Sequence, residues 1–268
     1  MNLETIASDL KSAQDRRQPV EPVTSRLPDF NIGAAYDVAG RIHAARLREG
    51  AAAIGRKIGF SNRNLWPLFD VHESIWAYVY DTTVTRSWDT RGRCSMGRFL
   101  EPRIEPEIVA HFSAAPPRSD DPAELLACID WLALGFELVQ SHFPGWKFKA
   151  ADTIANSGLH GALIIGEPRS PHELGPDLIG RMARFTVTLN CNGGVRETGR
   201  GSNVLDSPLA AIAHLTAVLE SQQAPPIGAG ELVTTGSLTG APLIQAGEVW
   251  SATLEGLALP GLALTLDP

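Results

Sequence analysis

Three glutamates and one lysine are the side chains of this sequence whose types and spacing suit chemistry. Glu105 and Glu107 stand two apart in Arg103-Ile104-Glu105-Pro106-Glu107-Ile108, so an extended chain points both one way while Ile104 and Ile108 point the other. Two carboxylates held that close repel unless a cation or a proton sits between them. The alternative is a solvated pair on an edge strand, where Pro106 is also tolerated. Glu137 is the sole charge in Leu132-Ala133-Leu134-Gly135-Phe136-Glu137-Leu138-Val139. A carboxylate there is expected to be buried, and therefore protonated, paired with an arginine or bound to a metal. With no His or Cys cluster nearby, the three glutamates form an all-oxygen set that suits Mg²⁺ or Mn²⁺ rather than zinc. Lys57, in Arg56-Lys57-Ile58-Gly59-Phe60, shares a strand face with Gly59. Near a metal-bound 2-oxo acid it could hold a carboxylate or move a proton; otherwise it is a solvated strand lysine.

The elements that must position these groups show in the pattern of the chain. Helical spacing runs from Leu3 to Ala13 and from Ala35 to Ala53, around a Pro-containing connector. Arg56–Phe60 reads as a short strand, ended by Ser61-Asn62, which can cap a helical turn from Leu65 to Phe69. Tyr78–Val84 reads as another strand. From about Leu100 the pattern becomes short strands between Gly, Pro and Asn. A soft boundary near residue 95 therefore separates an N-terminal α/β segment, 1–95, from a core, 96–268. Phe185, Val187, Leu189 and Cys191 alternate with polar residues before Asn192-Gly193, the signature of a tight hairpin. Helices begin at Pro122 and at Pro208, each proline following an acidic or hydroxyl cap, and the second runs from Leu209 to Gln222. Glu231–Thr235, Val249–Leu254 and Leu262–Leu266 read as closing strands.

Composition narrows the function classes. In 268 residues, 44% apolar and 7% aromatic, 23 basic face 30 acidic side chains for a net charge of −7. The length suits one large or two unequal domains with a sizeable core. No Lys/Arg-rich stripe offers a phosphate-neutralising surface, which argues against nucleic acid as a partner. Cys94, Cys128 and Cys191 are far apart and form no CxxC pair, so neither a disulfide framework nor a zinc site is indicated and a reducing cytoplasm is expected. No stretch reaches the ~18 apolar residues of a membrane span, and Met1-Asn2-Leu3-Glu4 is not a basic segment leading into an apolar run, so neither spanning nor secretion is expected.

Five blocks together resemble a known family. Gly55-Arg56-Lys57-Ile58-Gly59-Phe60, Arg103-Ile104-Glu105-Pro106-Glu107-Ile108, Phe136-Glu137-Leu138-Val139-Gln140-Ser141, Asp152-Thr153-Ile154-Ala155-Asn156 and Thr234-Thr235-Gly236-Ser237-Leu238-Thr239 come in the order seen in 2-keto-4-pentenoate hydratases. The sequence also resembles 2-oxohept-3-enedioate hydratases and 4-oxalocrotonate decarboxylases of the fumarylacetoacetate hydrolase superfamily, from about residue 35 onward. The resemblance implies an α+β fold with a mixed β-roll core behind a smaller N-terminal α/β segment, and a homo-oligomer. It also implies a divalent metal on Glu105, Glu107 and Glu137, Lys57 as a catalytic group, and Asp152 and Ser237 as substrate contacts. The implied activity is metal-dependent hydration of a 2-hydroxy-2,4-dienoate or 2-oxo-enoate in aromatic-compound degradation. Decarboxylation of a 2-oxo-dioate, hydrolysis of an acylpyruvate, or a non-catalytic binding or assembly role on the same fold are the alternatives.

The sequence departs from the family where many members carry an acidic residue before an aromatic-Gly pair. Here Ile75-Trp76-Ala77 stands, so the proton-transfer partner of Lys57 is not named by the motif. His72 or Glu73 from the same loop are candidates, as are Lys149, three before Asp152, and His160. Arg63, Trp66 and Trp76 are candidates for the end of the pocket distal to the metal, where a dioate needs a second cation and a pentenoate needs apolar walls.

Overall fold

A computed structural model describes residues 1–63, 66–69, 73–89 and 91–268. The N-terminal part is three helices, α1 (Leu3–Arg16), α2 (Val23–Arg26) and α3 (Ile32–Arg48). Asn2 and Asn31 cap α1 and α3, Asn2 accepting from the Glu4 and Thr5 N–H groups and Asn31 from the Ala34 N–H. Helix α3 starts before and stops short of the range the periodicity suggests, because Gly50 takes φ 94° and turns the chain into the first strand. That strand, β1 (Ala53–Gly59), ends where Phe60 enters the left-handed region at φ 53°. A short turn, α4 (Trp66–Phe69), precedes β2 (Ile75–Tyr80); Leu65 and His72 lie outside the described residues.

The sequence reads Tyr78–Val84 as one strand, and the structure breaks it. Asp81 Oδ1 accepts from the Thr82 and Ala52 N–H groups and sets a 3₁₀ turn, Asp81–Thr83, before β3 (Val84–Arg86). Strands β5 (Arg103–Phe112), β6 (Ile129–Val139), β7 (His160–Ile165) and β10 (Leu232–Thr234) complete a seven-stranded sheet in the order β2-β1-β10-β5-β6-β7-β3. Strands β2 and β3 thus occupy opposite edges although only the 3₁₀ turn joins them. Laid flat, the edges would stand roughly 29 Å apart at the usual strand spacing, whereas the turn reaches at most about 14 Å. The sheet must therefore curl until its edges nearly meet, which makes it a β-roll, as the resemblance implies. Strands from both sides of residue 95 share it.

A second sheet, ordered β4-β12-β11-β8-β9, consists of β4 (Arg91–Ser95), β8 (Thr186–Cys191), β9 (Gly194–Arg200), β11 (Val249–Glu255) and β12 (Leu262–Asp267). The β8–β9 hairpin closes through Asn192 and Gly193 at φ 51° and 82°, as the sequence indicates. Helices α5 (Pro122–Leu126), α7 (Leu178–Arg184) and α8 (Pro208–Ser221) flank the sheets. Asp121 and Ser207 cap α5 and α8 with proline in the first turn. The principal core joins Ile104, Ile108, Phe112 and Phe136 of the roll to Val187, Leu189, Trp250 and Leu264 of the second sheet and to Leu209, Ile212 and Leu215 of α8. A second cluster packs α1 and α3 on α6 (Ala150–Ala155). Among the described residues, no helix is long and apolar enough to cross a membrane.

Candidate functional site

The curl brings the three glutamates and the lysine together. Strand β5 pairs with β6 in a register that sets Glu105 opposite Glu137 and Glu107 opposite Gly135. One carboxylate oxygen from each of Glu105, Glu107 and Glu137 lies within 4.8 Å of the others. Glu107 and Glu137 are fully buried, which rules out the solvated pair that ExE spacing also allows. Strand β5 is internal, not an edge; Pro106 is accommodated because β10 has ended beside it. The Pro106 carbonyl accepts from Leu238 on that side, in the chain that has left the ladder, so the missing proline N–H interrupts no strand pairing.

Lys57 is buried because β1 is likewise internal, with Ala77 of β2 on one side and Thr234 of β10 on the other. Its Nζ lies 3.1 Å from Glu137 Oε2 and donates to the Gly158 carbonyl at 3.0 Å. Gly158 has φ 61°, and a Cβ there would meet Lys57 Cδ and Ala77 Cβ at 3.0 Å each, so glycine is required for the lysine to pass. Glu107 Oε2 accepts from the Gly236 N–H at 2.9 Å. Gly236 has φ 97°, and a Cβ there would fall 1.9 Å from Ser61 Oγ. The Thr-Gly-Ser turn thus serves the glutamate through its backbone. Glu137 Oε1 lies 2.7 Å from Nδ1 of His160, whose Nε2 is 2.9 Å from Thr83 Oγ1.

Protonation follows from this crowding. Burial alone would lower Lys57, but Glu137, Glu105 and Glu107 outweigh it and hold the ammonium above its ordinary value. Burial raises Glu105 to about 7 despite the nearby lysine. It raises Glu107 well above the ordinary range, and Glu137 and Glu105 push the same way. Glu137 goes down to about 2, burial being overcome by Lys57 and then His160. The buried oxygens Glu107 Oε1 and Glu137 Oε2 receive no hydrogen bond. Glu107 Oε2 is thus held by the Gly236 N–H and Glu137 Oε1 by His160, leaving Glu107 Oε1 without a partner and Glu137 Oε2 with Lys57 alone. Leaving such atoms unpaired is costly, and a hard, oxygen-seeking divalent cation is what this donor set fits.

A cavity of about 290 Å³ opens beside the cluster, with Lys57, Glu105, Ser237, Phe60, Ile75, Val139, Trp146, Phe148, Leu159 and Arg103 in its wall. Ile75 is 4% exposed, so where the family motif has an acid this cavity has a hydrocarbon. Ser237 lines the cavity while its hydroxyl donates to the Thr239 carbonyl. Asp152 is placed elsewhere: it is fully buried, accepts from Thr24 N, Thr24 Oγ1 and Lys149 N, and ties the N-terminal segment to the start of α6. Lys149 is exposed. Glu73 is exposed and lines a different cleft, beside α3. Arg63 pairs with Asp206 at the surface, Trp66 donates to the Phe60 carbonyl, and Trp76 donates to Gln222 on the face of β2 opposite Ile75. Among the groups in the cavity wall that the sequence did not single out are Arg103, Trp146, Phe148 and Leu159. Arg103 is the only one with a sequence signal, lying two residues before Glu105 and hence on its strand face.

Known proteins agree with this architecture. The model of the fumarylacetoacetate (FAA) hydrolase C-terminal family matches residues 74–260. The chain is 28% identical, over 98% of its length and 97% of the relative's, to a 2-hydroxyhexa-2,4-dienoate hydratase of Comamonas testosteroni. It is 26% identical, over 81% of its length and 80% of the relative's, to a 4-oxalocrotonate decarboxylase of a Pseudomonas species. Its fold matches the 4-oxalocrotonate decarboxylase of Pseudomonas putida G7, solved with magnesium and adipate, with a TM-score of 0.89 at 23% identity over 98% of this chain and 97% of that one. The curled mixed sheet, the glutamate cluster and these matches together place the chain in the fumarylacetoacetate hydrolase family.

Proposed function

We propose that this chain is a divalent-metal-dependent hydro-lyase that adds water to a short 2-hydroxy-2,4-dienoate or its 2-oxo-enoate tautomer, with Mg²⁺ or Mn²⁺ held by Glu105, Glu107 and Glu137. The observation that carries the reading is the cluster of three glutamates, in which the buried Glu107 Oε1 has no partner and the buried Glu137 Oε2 has only Lys57. A cation bound there supplies Lewis acidity toward the vicinal carboxylate and 2-oxygen of such a substrate. Lys57 is the proton-transfer group. An ammonium has three N–H donors; one goes to Gly158 O and one faces Glu137, leaving the third for the cavity that Lys57 lines. Phe60, Val139, Phe148 and Leu159 give the hydrocarbon chain a wall and exclude bulk water. The hydratase and decarboxylase names of the relatives support this substrate class.

The test is the ultraviolet absorbance of freshly generated 2-hydroxypenta-2,4-dienoate with purified protein and Mg²⁺, against an EDTA-treated control. Metal-dependent decay with 4-hydroxy-2-oxopentanoate identified by NMR is expected. Persistence of the dienoate with metal bound would refute hydration.

A second reading, decarboxylation of a 2-oxo-dioate, is favoured by Ile75 and Arg103. Ile75 leaves β2 without a carboxylate to take a proton from water. Decarboxylation requires no such base: the C–C bond to the leaving carboxylate breaks, CO₂ departs, the electron pair passes along the conjugated chain toward the 2-oxygen, and Lys57 returns a proton to carbon. Arg103 lines the same cavity, stacked 4.4 Å from the Trp146 ring with Nε free of hydrogen bonds, and offers a cation to a second carboxylate. Release of CO₂ from 2-oxohex-3-enedioate without hydration of the monoacid would select this reading.

A further inference from the structure

Glu137 has two oxygens and two claimants besides any cation: Lys57 faces Oε2, and His160 holds Oε1. A carboxylate held only by the lysine would be free to turn about its terminal torsion, which is broad and soft, and present either oxygen or both to the ammonium. His160 removes that freedom. Its side chain is 4% exposed, and since a carboxylate only accepts, Nδ1 carries the proton toward Oε1 at 2.7 Å. With Oε1 occupied, Oε2, which faces Lys57, is the oxygen left for a cation, as the bare Oε1 is in Glu107.

The ring is itself fixed from behind. Thr83 Oγ1 lies 2.9 Å from Nε2, which accepts when Nδ1 carries the proton, and 2.9 Å from the Tyr80 carbonyl, so its single hydroxyl hydrogen serves one of the two. Tyr80 ends β2 and Thr83 ends the turn into β3, whereas His160 opens β7, the strand that pairs with β3. The brace therefore spans the place where the two edges of the curled sheet approach. Strand β6, carrying Glu137, lies next inward and pairs Glu137 with Leu163 of β7. The same closure that shapes the roll sets the angle of one carboxylate at its centre.

We propose that His160, backed by Thr83, is a positioning residue that orients Glu137 toward a divalent cation. The proposal rests on the metal reading above and concerns binding, so it is tested without substrate. Chelator-stripped protein is titrated with Mn²⁺ and followed by electron paramagnetic resonance, with circular dichroism to verify folding. Substituting His160→Leu removes the donor and is expected to weaken Mn²⁺ binding ~10–100-fold, the usual effect of losing a partner that orients a ligand. His160→Asn, whose amide N–H falls near the place of Nδ1, is expected to stay close to wild type. His160→Gln places its amide nearer Nε2, and is expected to be as weak as His160→Leu.

Equal affinity in wild type and His160→Leu would overturn the brace, as would an Asn variant no better than the Gln variant, which would mark His160 as mere packing. Should His160→Leu not fold, the Asn and Gln pair carries the comparison, and Thr83→Val, expected to weaken binding less than loss of the imidazole, provides a third. A wild-type protein that binds no Mn²⁺ would overturn the metal reading itself, an outcome separate from the other two.

Discussion

Replacing Lys57 by methionine separates the electrostatic and chemical parts of this account. The side chain keeps its length and apolar stem but loses the charge that faces Glu137 at 3.1 Å. At an effective dielectric constant of about 20, unit charges at that distance attract by roughly 5 kcal/mol. Measured losses on breaking a buried pair are about 3–5 kcal/mol, because the remaining charge keeps its desolvation cost. For a chain of this size each kcal/mol moves the melting temperature by roughly 2–4 °C, so metal-free Lys57→Met is expected to melt roughly 6–20 °C below wild type. Saturating Mg²⁺ restores a cation to the cluster and should raise the variant's melting temperature by more than it raises that of wild type. Turnover should fall ~10²–10⁴-fold, the contribution of a placed proton donor, while Mg²⁺ still binds. Scanning calorimetry with and without Mg²⁺, beside the absorbance assay, reads both parts. An unchanged metal-free melt and a wild-type response to Mg²⁺ would refute the coupling of Lys57 to the glutamates.

Four further outcomes follow from the geometry. Cation binding must displace protons from Glu105, held up to about 7, and from Glu107, held higher; affinity should rise with pH through about 7, with proton release seen by calorimetry in buffers of different ionisation heat. Since the folded pKa of Glu105 is raised above its ordinary 4.5, its contribution to metal-free stability is full below that value. It is lost as pH climbs through about 7, so melts should fall across that window without Mg²⁺. Gly236→Ala drives a methyl onto Ser61 and disturbs the N–H that holds Glu107; it should cost about 1–3 kcal/mol of stability and weaken Mn²⁺ binding, read by melts and titration. Asp152→Asn should cost about 1–3 kcal/mol through the Thr24 and Lys149 contacts while kcat/KM stays near wild type, because Asp152 is not in the cavity wall.

What could be read from the sequence was whatever depends on near neighbours along the chain. Glu137 announces its burial by being the one charge in an apolar run, and Glu105 and Glu107 share a face by period alone. The Asn192-Gly193 hairpin needs only its own turn residues. What could not be read depends on strand order. Lys57 looks like a surface strand lysine until β10, from nearly the far end of the chain, packs beside β1. Pro106 suggests an edge until the early end of β10 explains it. Tyr78–Val84 is β-branched and aromatic like one strand, and only the Asp81 cap shows that it is split between two edges of a curled sheet. His160 meets Glu137 across the β6–β7 pairing, and Arg103 meets Trp146 just beyond the β5–β6 pairing, and neither pairing leaves a local signature.

The central claim is that Glu105, Glu107 and Glu137 together hold one divalent cation. Titrating chelator-stripped wild type and Glu107→Ala with Mn²⁺, by electron paramagnetic resonance, tests it most directly. One saturable site per chain in wild type, abolished in a folded Glu107→Ala variant, is the result the account requires. No saturable site in wild type, or undiminished binding in the variant, would contradict it.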